Sequence, residues 1–147
     1  MSHVRQQVRV YFESELANLL TTGSNVYASR VYPLSGAKLP ALLIYSQNES
    51  VEEEAFSKRR VQMRSLDVIV EGYVRALANF DDSLDTISSE VEQAILDDPL
   101  LGGLAINTEL SSVEAAYSGD GEQPVATIRL TFTVQYRTKT GQPETAI

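Results

Sequence analysis

Cysteine and tryptophan are both absent from this chain of 147 residues, and histidine occurs once. Without cysteine there can be no disulfide, no zinc–thiolate site and no thiol nucleophile. The lone histidine, His3, has no second imidazole to join it and falls in what reads as a mobile N-terminus. An oriented imidazole with partners, as acid–base catalysis needs, is not visible in the sequence. Long hydrophobic runs are missing too. No stretch approaches the roughly 20 apolar residues of a membrane span, and Met1 to Leu20 is charged throughout, without the apolar core of a signal peptide. The expectation is a soluble protein made in the cytoplasm, with no membrane partner. Gly102-Gly103 is not followed by Gly-Lys-Ser/Thr, which removes the phosphate-loop reading.

Positive charge is missing locally. The net charge is −8, and no Lys or Arg lies between Arg75 and Arg129. That stretch carries Asp81, Asp82, Asp85, Glu90, Glu92, Asp97, Asp98, Glu109, Glu114, Asp120 and Glu122. Lys58, Arg59, Arg60 and Arg64 gather instead in one short segment. An acidic chain repels nucleic-acid phosphate, and Lys58-Arg59-Arg60 is too short a run for a nucleic-acid groove. Charge segregated in this way suits contact with the opposite patch of a second copy. The plainer reading is that the acidic stretch is a solvated face.

The chain length fits one domain, which buries roughly 68–70% of the surface its unfolded chain would expose. Val4, Val8, Phe12, Leu16 and Leu19 or Leu20 recur at helical spacing over Ser2 to Thr21, with Gly23 as a stop. Val26 to Tyr32 reads as a strand, ended by Pro33 and Ser35-Gly36. Leu39 to Tyr45 reads as a buried strand. Ser46 to Lys58 is polar and forms a loop or a hairpin arm. Arg59 to Arg75 is a long strand whose apolar parity changes: Val61 and Met63 on one face, Leu66, Val68, Val70 and Val74 on the other. Such a change needs a bulge or a new packing partner, so the first half is expected to pack on something outside the domain.

Asn79 to Leu96 is a helix with Phe80, Leu84, Ile87, Val91 and Ile95 as its stripe. Asn79 is placed to cap it, and Asp81 and Asp82 complement its dipole. Leu100 to Leu104 is a loop with apolar anchors. Glu109 to Tyr117 is a strand, and Ser118-Gly119-Asp120-Gly121 a turn. Val125 to Arg137 alternates cleanly, with Ala126, Ile128, Leu130, Phe132, Val134 and Tyr136 facing inward. Gly141 to Ile147 reads as a loose tail. The order predicts an α+β fold of two layers: one mostly antiparallel, mixed β-sheet with two helices packed on one face.

Candidates for chemistry are few. Asp81/Asp82 and Asp97/Asp98 are sequential neighbours that point apart on a helix, which makes them poor metal clamps. Glu52, Glu53 and Glu54 could gather a divalent cation, but their spacing matches no ligand set. Tyrosines outnumber phenylalanines, seven against four, a bias common at interfaces and also at core edges. Asp67 or Glu71 on the long strand could serve an acid–base pair, though no nucleophile or ligand loop accompanies them. The expectation is therefore a non-enzyme with no catalytic residues, no bound metal and no cofactor. A generic homodimeric binding module is the third alternative.

Several segments together resemble the tail terminator proteins of long-tailed bacteriophages, the minor tail protein U family. They are the opening helix, Ser29-Arg30-Val31-Tyr32-Pro33-Leu34 before Leu39-Pro40-Ala41-Leu42, and the acidic loop leading through Arg59-Arg60 into a Val-rich strand. Asp81-Asp82-x-x-Asp85, Val91-Glu92-Gln93-Ala94-Ile95 and Leu101-Gly102-Gly103-Leu104 follow, then two closing strands. The resemblance implies a structural subunit of a homo-oligomeric, hexameric ring on the finished tail tube. The ring would stop tube growth and offer a surface for joining the head. Its partners would be the tail tube protein and a head completion or connector protein. Its place would be the head-proximal end of the virion tail, after assembly in the host bacterial cytoplasm. Related neck and tail-completion proteins share a similar fold and are the nearest alternative. The implied organisation is one tail-terminator-like domain over 1–137 and a flexible tail over 138–147. The candidate subunit-interface residues are Glu52, Glu53, Glu54, Lys58, Arg59, Arg60, Arg64, Asp81, Asp82 and Asp85.

Overall fold

Alternation in the last long apolar segment places it at the centre of the sheet. In the computed structural model, which describes residues 2–28, 39–53, 60–76, 78–118 and 124–147, this segment is strand β5 (Val125–Lys139). It pairs antiparallel with β3 (Val61–Arg75), in unbroken register from Val61↔Lys139 to Arg75↔Val125. β2 (Ala41–Glu53) flanks β3 and β4 (Asn107–Ser118) flanks β5, both antiparallel. β1 (Val26–Tyr27) adds parallel to β2, and β6 (Gln142–Ala146) pairs with β5. The sheet is thus a mixed, mostly antiparallel one of six strands in the order β1-β2-β3-β5-β4, with β6 off that path. Two α-helices, α1 (Val4–Leu16) and α2 (Phe80–Leu96), complete an α+β fold.

One core cluster unites both helical stripes with alternate residues of the central strands. Val4, Val8, Phe12 and Leu16 come from α1, and Leu84, Ile87, Val91 and Ile95 from α2. Leu42 and Ile44 of β2, Leu66 to Val74 of β3 at even positions, and Ala126 to Tyr136 of β5 complete it. Phe12 and Phe132 meet edge to face, ring centres 5.5 Å apart, a geometry aromatic quadrupoles favour. Gly72 lies where β3 passes under α2. A Cβ there would come 2.9 Å from Cγ2 of Ile87 and 3.1 Å from Cγ2 of Ile128, so glycine permits this close approach.

Several sequence expectations change. α1 ends at Leu16, not Thr21, because Ala17 is extended and Asn18 takes a φ of 74°. Gly23 does not stop the helix. It closes a tight loop, donating its N–H to the Leu19 carbonyl at 2.8 Å. The side chain of Asn79 does not cap α2: the residue is left-handed, and its carbonyl instead accepts from Asp82 and Ser83. Beyond α2, the Asp98 carboxylate accepts the N–H groups of Leu100 and Gly102, fixing the 3₁₀ turn Leu101–Gly103 that places Leu101 in the core. Residues 138–147, expected as a tail, hold the end of β5 and the whole of β6, and Gln7 of α1 donates to the Glu144 carbonyl at 2.9 Å. The polar stretch after Ser46 is the hairpin-arm alternative: β2 runs on to Glu53 beside the first half of β3. The turns expected at Pro33, at Ser35-Gly36 and at 119–121 lie outside the described residues, as does the Ser29–Leu34 stretch.

Two measurements check this packing. Phe132 is fully buried, so Phe132→Ala should cost about 3–5 kcal/mol in reversible denaturation. A loss below about 1 kcal/mol would contradict the assigned face. Gly72→Val should cost about 1–3 kcal/mol by overpacking. Combined with Ile87→Ala, which opens space at the same spot, it should lose clearly less than the sum of the two single variants. Strict additivity would show that the helix does not rest on Gly72.

Candidate functional site

The carboxylate most open to a chemical role, Glu71, lies on the sheet face opposite the core cluster. Register places Leu43, Glu71, Arg129 and Glu114 in one row across β2, β3, β5 and β4. The Tyr45 and Tyr73 hydroxyls donate to Glu71, and Arg129 Nη2 donates to its Oε1 at 3.1 Å. Burial pushes the Glu71 carboxyl upward. The two phenol hydrogen bonds and the Arg129 charge outweigh it, leaving the pKa below the ordinary 4.5. Tyr73 moves the other way, raised by burial and by donating to that carboxylate. Glu71 is thus ionised at neutral pH and its oxygens are occupied. Asp67, on the same face, stands four residues along the strand, about 13 Å away at ~3.3 Å per residue. Carboxylates that work as an acid–base pair across one bond stand roughly 5–9.5 Å apart. The structure does not bring these two together, and the Glu71 cluster acts as a brace across three strands.

A second polar cluster seals the junction between arm and core, and most of it was not visible in the sequence. Glu49 accepts from Arg64 Nη1 at 2.8 Å and from the Tyr136 hydroxyl at 2.7 Å, with Arg5 Nη1 at 3.6 Å. Its side chain is only 6% exposed. A register shift in β2 between Ser46 and Glu49 sets it there, opposite Leu66. His3 is fixed, not mobile. Its Nδ1 accepts the Arg5 N–H at 3.1 Å and caps α1, and its Nε2 lies 3.5 Å from Arg64 Nη1. Burial lowers the His3 pKa first, and the charges of Arg5 and Arg64 lower it further, against a raising effect of Glu49.

The candidate interface residues divide between two regions. Glu52 and Glu53 end β2 on the arm, exposed, and Arg60 lies 3.5 Å from Glu53. Arg64 is paired within its own subunit. Its side chain is 14% exposed and is held inside the subunit by Glu49, Gln62 and His3. Parity could have shown this, since Arg64 shares its face with Leu66 and Val68. Asp81, Asp82 and Asp85 stand exposed in the first turns of α2. Glu54, Lys58 and Arg59 lie outside the described residues. Glu90 leaves the solvated acidic set, because it accepts from both the N–H and the hydroxyl of Thr21. Among the described residues no group of three or more His, Asp or Glu could hold a metal ion. A shallow cleft of about 250 Å³ beside Leu39, Pro40, Val74 and Arg75 has no carboxylate in its described lining. No helix is long and apolar enough to cross a membrane.

The His3 cap carries a pH prediction. The fold favours the neutral ring, so the unfolded chain takes up the proton first as pH falls below the ordinary 6.5. Stability should therefore decline from about pH 7 downward until the folded form also protonates. His3→Asn keeps a capping acceptor that does not titrate in this range. Its melting temperature should change less between pH 7.5 and pH 5.5 than that of the parent. Equal changes would show that the cap does not titrate with stability.

Comparison with known proteins agrees with the resemblance in the sequence. No curated protein matches the chain. Among solved structures, a chain from the virion of a native gene transfer agent particle is similar at 12% identity, over 92% of each chain, with a TM-score of 0.41. The phage minor tail protein U family matches residues 2–136, nearly the whole chain and every element from α1 to the core-facing part of β5. On that match, the protein belongs to the phage minor tail protein U family.

Proposed function

We propose that the chain is a tail terminator: a structural, non-enzymatic subunit of a closed ring that caps the tail tube, stops its elongation and presents the surface to which the head joins. The observation that carries this reading is the family match over residues 2–136. The occupied state of Glu71 and the wide separation of Asp67 support the non-enzymatic part. In this reading both helices cover one face of the sheet, and six copies close the ring. One ring face meets the tail tube protein and the other meets a head completion or connector protein. The subunit works at the head-proximal end of the virion tail after assembly in the bacterial cytoplasm, with no nucleic-acid groove, membrane contact, metal or cofactor.

A head-to-tail contact between identical subunits closes into a ring when the rotation per subunit divides a full turn. A closed ring ends growth around its circumference and leaves two distinct faces, as a cap between tube and head requires. Deleting the gene from its phage should give tails of uncontrolled length and heads without tails. Normal-length tails joined to heads in the mutant would overturn the assignment.

A further inference from the structure

The inward-facing side of the sheet continues onto β4, where it lies open. Register sets Val113 opposite Leu130, Ala115 opposite Ile128 and Tyr117 opposite Ala126, so these β4 side chains share a face with core residues. Yet Val113 is 46% and Tyr117 58% exposed. Every residue from Ser111 to Tyr117 is exposed, and β4 ends the strand order with no partner on its outer side among the described residues. Phe80, the first residue of α2, stacks on Tyr117 with ring centres 5.3 Å apart. This fixes the strip beside the exposed carboxylates of Asp81, Asp82 and Asp85. An open edge with an apolar face is a surface that pairs with another chain unless something covers it.

The first half of β3 has the matching character. Val61 lies opposite Lys139 and Met63 opposite Arg137. Two half-buried apolar side chains and two exposed cations therefore share one face at the end of the arm. Glu52, opposite Met63, sets one carboxylate beside these two cations. This is the same parity change that marked the sequence of β3. Its apolar pair faces away from the core cluster, where the strand has outrun the helices.

Charge selects the occupant of the β4 strip. No Lys or Arg lies in the sequence between Arg75 and Arg129, and Asp81, Asp82 and Asp85 form an exposed acidic group that positive charge on a partner would complement. The subunit's own basic patch stands at the other end of β3, whose 15 residues span about 50 Å at ~3.3 Å per residue. It cannot fold back that far. We propose that the arm end of one copy, with Val61, Met63, Arg137 and Lys139, seats on the Val113–Ala115–Tyr117 strip of the next copy beside Asp81 and Asp85. The contact is head-to-tail and rests on the ring reading above.

The test uses the full chain and its solution mass over a range of concentrations. Arg137→Glu with Lys139→Glu makes an arm variant, and Asp81→Lys with Asp85→Lys makes a strip variant. All four sites are exposed, and circular dichroism and melting temperature check that each variant folds. Each variant alone should associate at least about tenfold more weakly than the parent, as loss of complementary charge predicts. An equal mixture of the two should regain assemblies larger than a dimer, with the two variants alternating. One contact joins unmodified Arg137 and Lys139 to unmodified Asp81 and Asp85, and the next joins the two sets of reversed charges. All four changes in one chain should restore larger assemblies. If both variants assemble like the parent, the contact is overturned while the ring stands. A mixture that stays monomeric overturns the head-to-tail geometry. A parent chain that remains monomeric at every concentration overturns the ring reading itself.

Discussion

Everything else in this fold is measured against one antiparallel pair, β3 with β5, which runs the full 15 residues of each strand without a register shift. Because side chains alternate along a strand, an unbroken pair assigns every residue of both strands to a face. The irregularities are displaced to the flanks: β2 shifts register between Ser46 and Glu49, and β4 between Leu110 and Ser112. The outer strands thus carry the irregularities while the central pair keeps its register. The helical stripes meet one row of apolar residues on that pair, from Val74 to Leu66 and from Ala126 to Tyr136. Gly72 is the one place where that row must thin to admit α2.

Local periodicity explains which parts of this were legible in the sequence. The α1 stripe from Val4 to Leu16, the α2 stripe, the alternation of β5 and the parity change of β3 are properties of single segments, and each is found where the pattern put it. The end of α1, the β6 strand and the Asn79 conformation depend on partners far away in the chain. Thr21 is held by Glu90 from α2, a contact that no window around Leu16 to Gly23 could contain. β6 has too few apolar residues to signal a strand and owes its form to pairing with β5. The clusters around Glu49 and Glu71 show the same division. Parity alone would have turned Arg64 inward. The burial of Glu49 in a polar run follows from a bulge that nothing in Ser46 to Lys58 announces.

The two clusters show how polar groups are accommodated inside a domain of this size. A buried carboxylate is costly unless its charge is matched and its oxygens accept hydrogen bonds. Glu49 has Arg64 and Tyr136; Glu71 has Arg129, Tyr45 and Tyr73. Each cluster ties three strands of the sheet, β2, β3 and β5, at different heights, and the Glu49 cluster adds the start of α1 through His3 and Arg5. Tyrosine suits this work because its ring joins the apolar packing while its hydroxyl reaches a carboxylate. The excess of tyrosine over phenylalanine therefore serves the interior at Tyr45, Tyr73 and Tyr136, and a surface at Tyr117.

These internal pairings also shape what remains outside. Arg5, Arg64 and Arg129 are each drawn to a carboxylate within the subunit, and Arg9 donates to the Ser46 hydroxyl. Four of the chain's 12 cations are thereby committed to the middle of the domain. The described cations at the arm end, Arg60, Arg137 and Lys139, stand at one extreme of β3 and β5, while the first turns of α2 hold Asp81, Asp82 and Asp85 at the other. An acidic protein of net charge −8 would repel its own copies if its charges were evenly spread. Separation along the strand axis changes the sign of that interaction for one relative orientation only. Head-to-tail approach brings unlike ends together, and approach of like ends keeps the repulsion. In the head-to-tail contact proposed above, the charges left outside by these internal pairings would set the polarity of approach before any close packing begins.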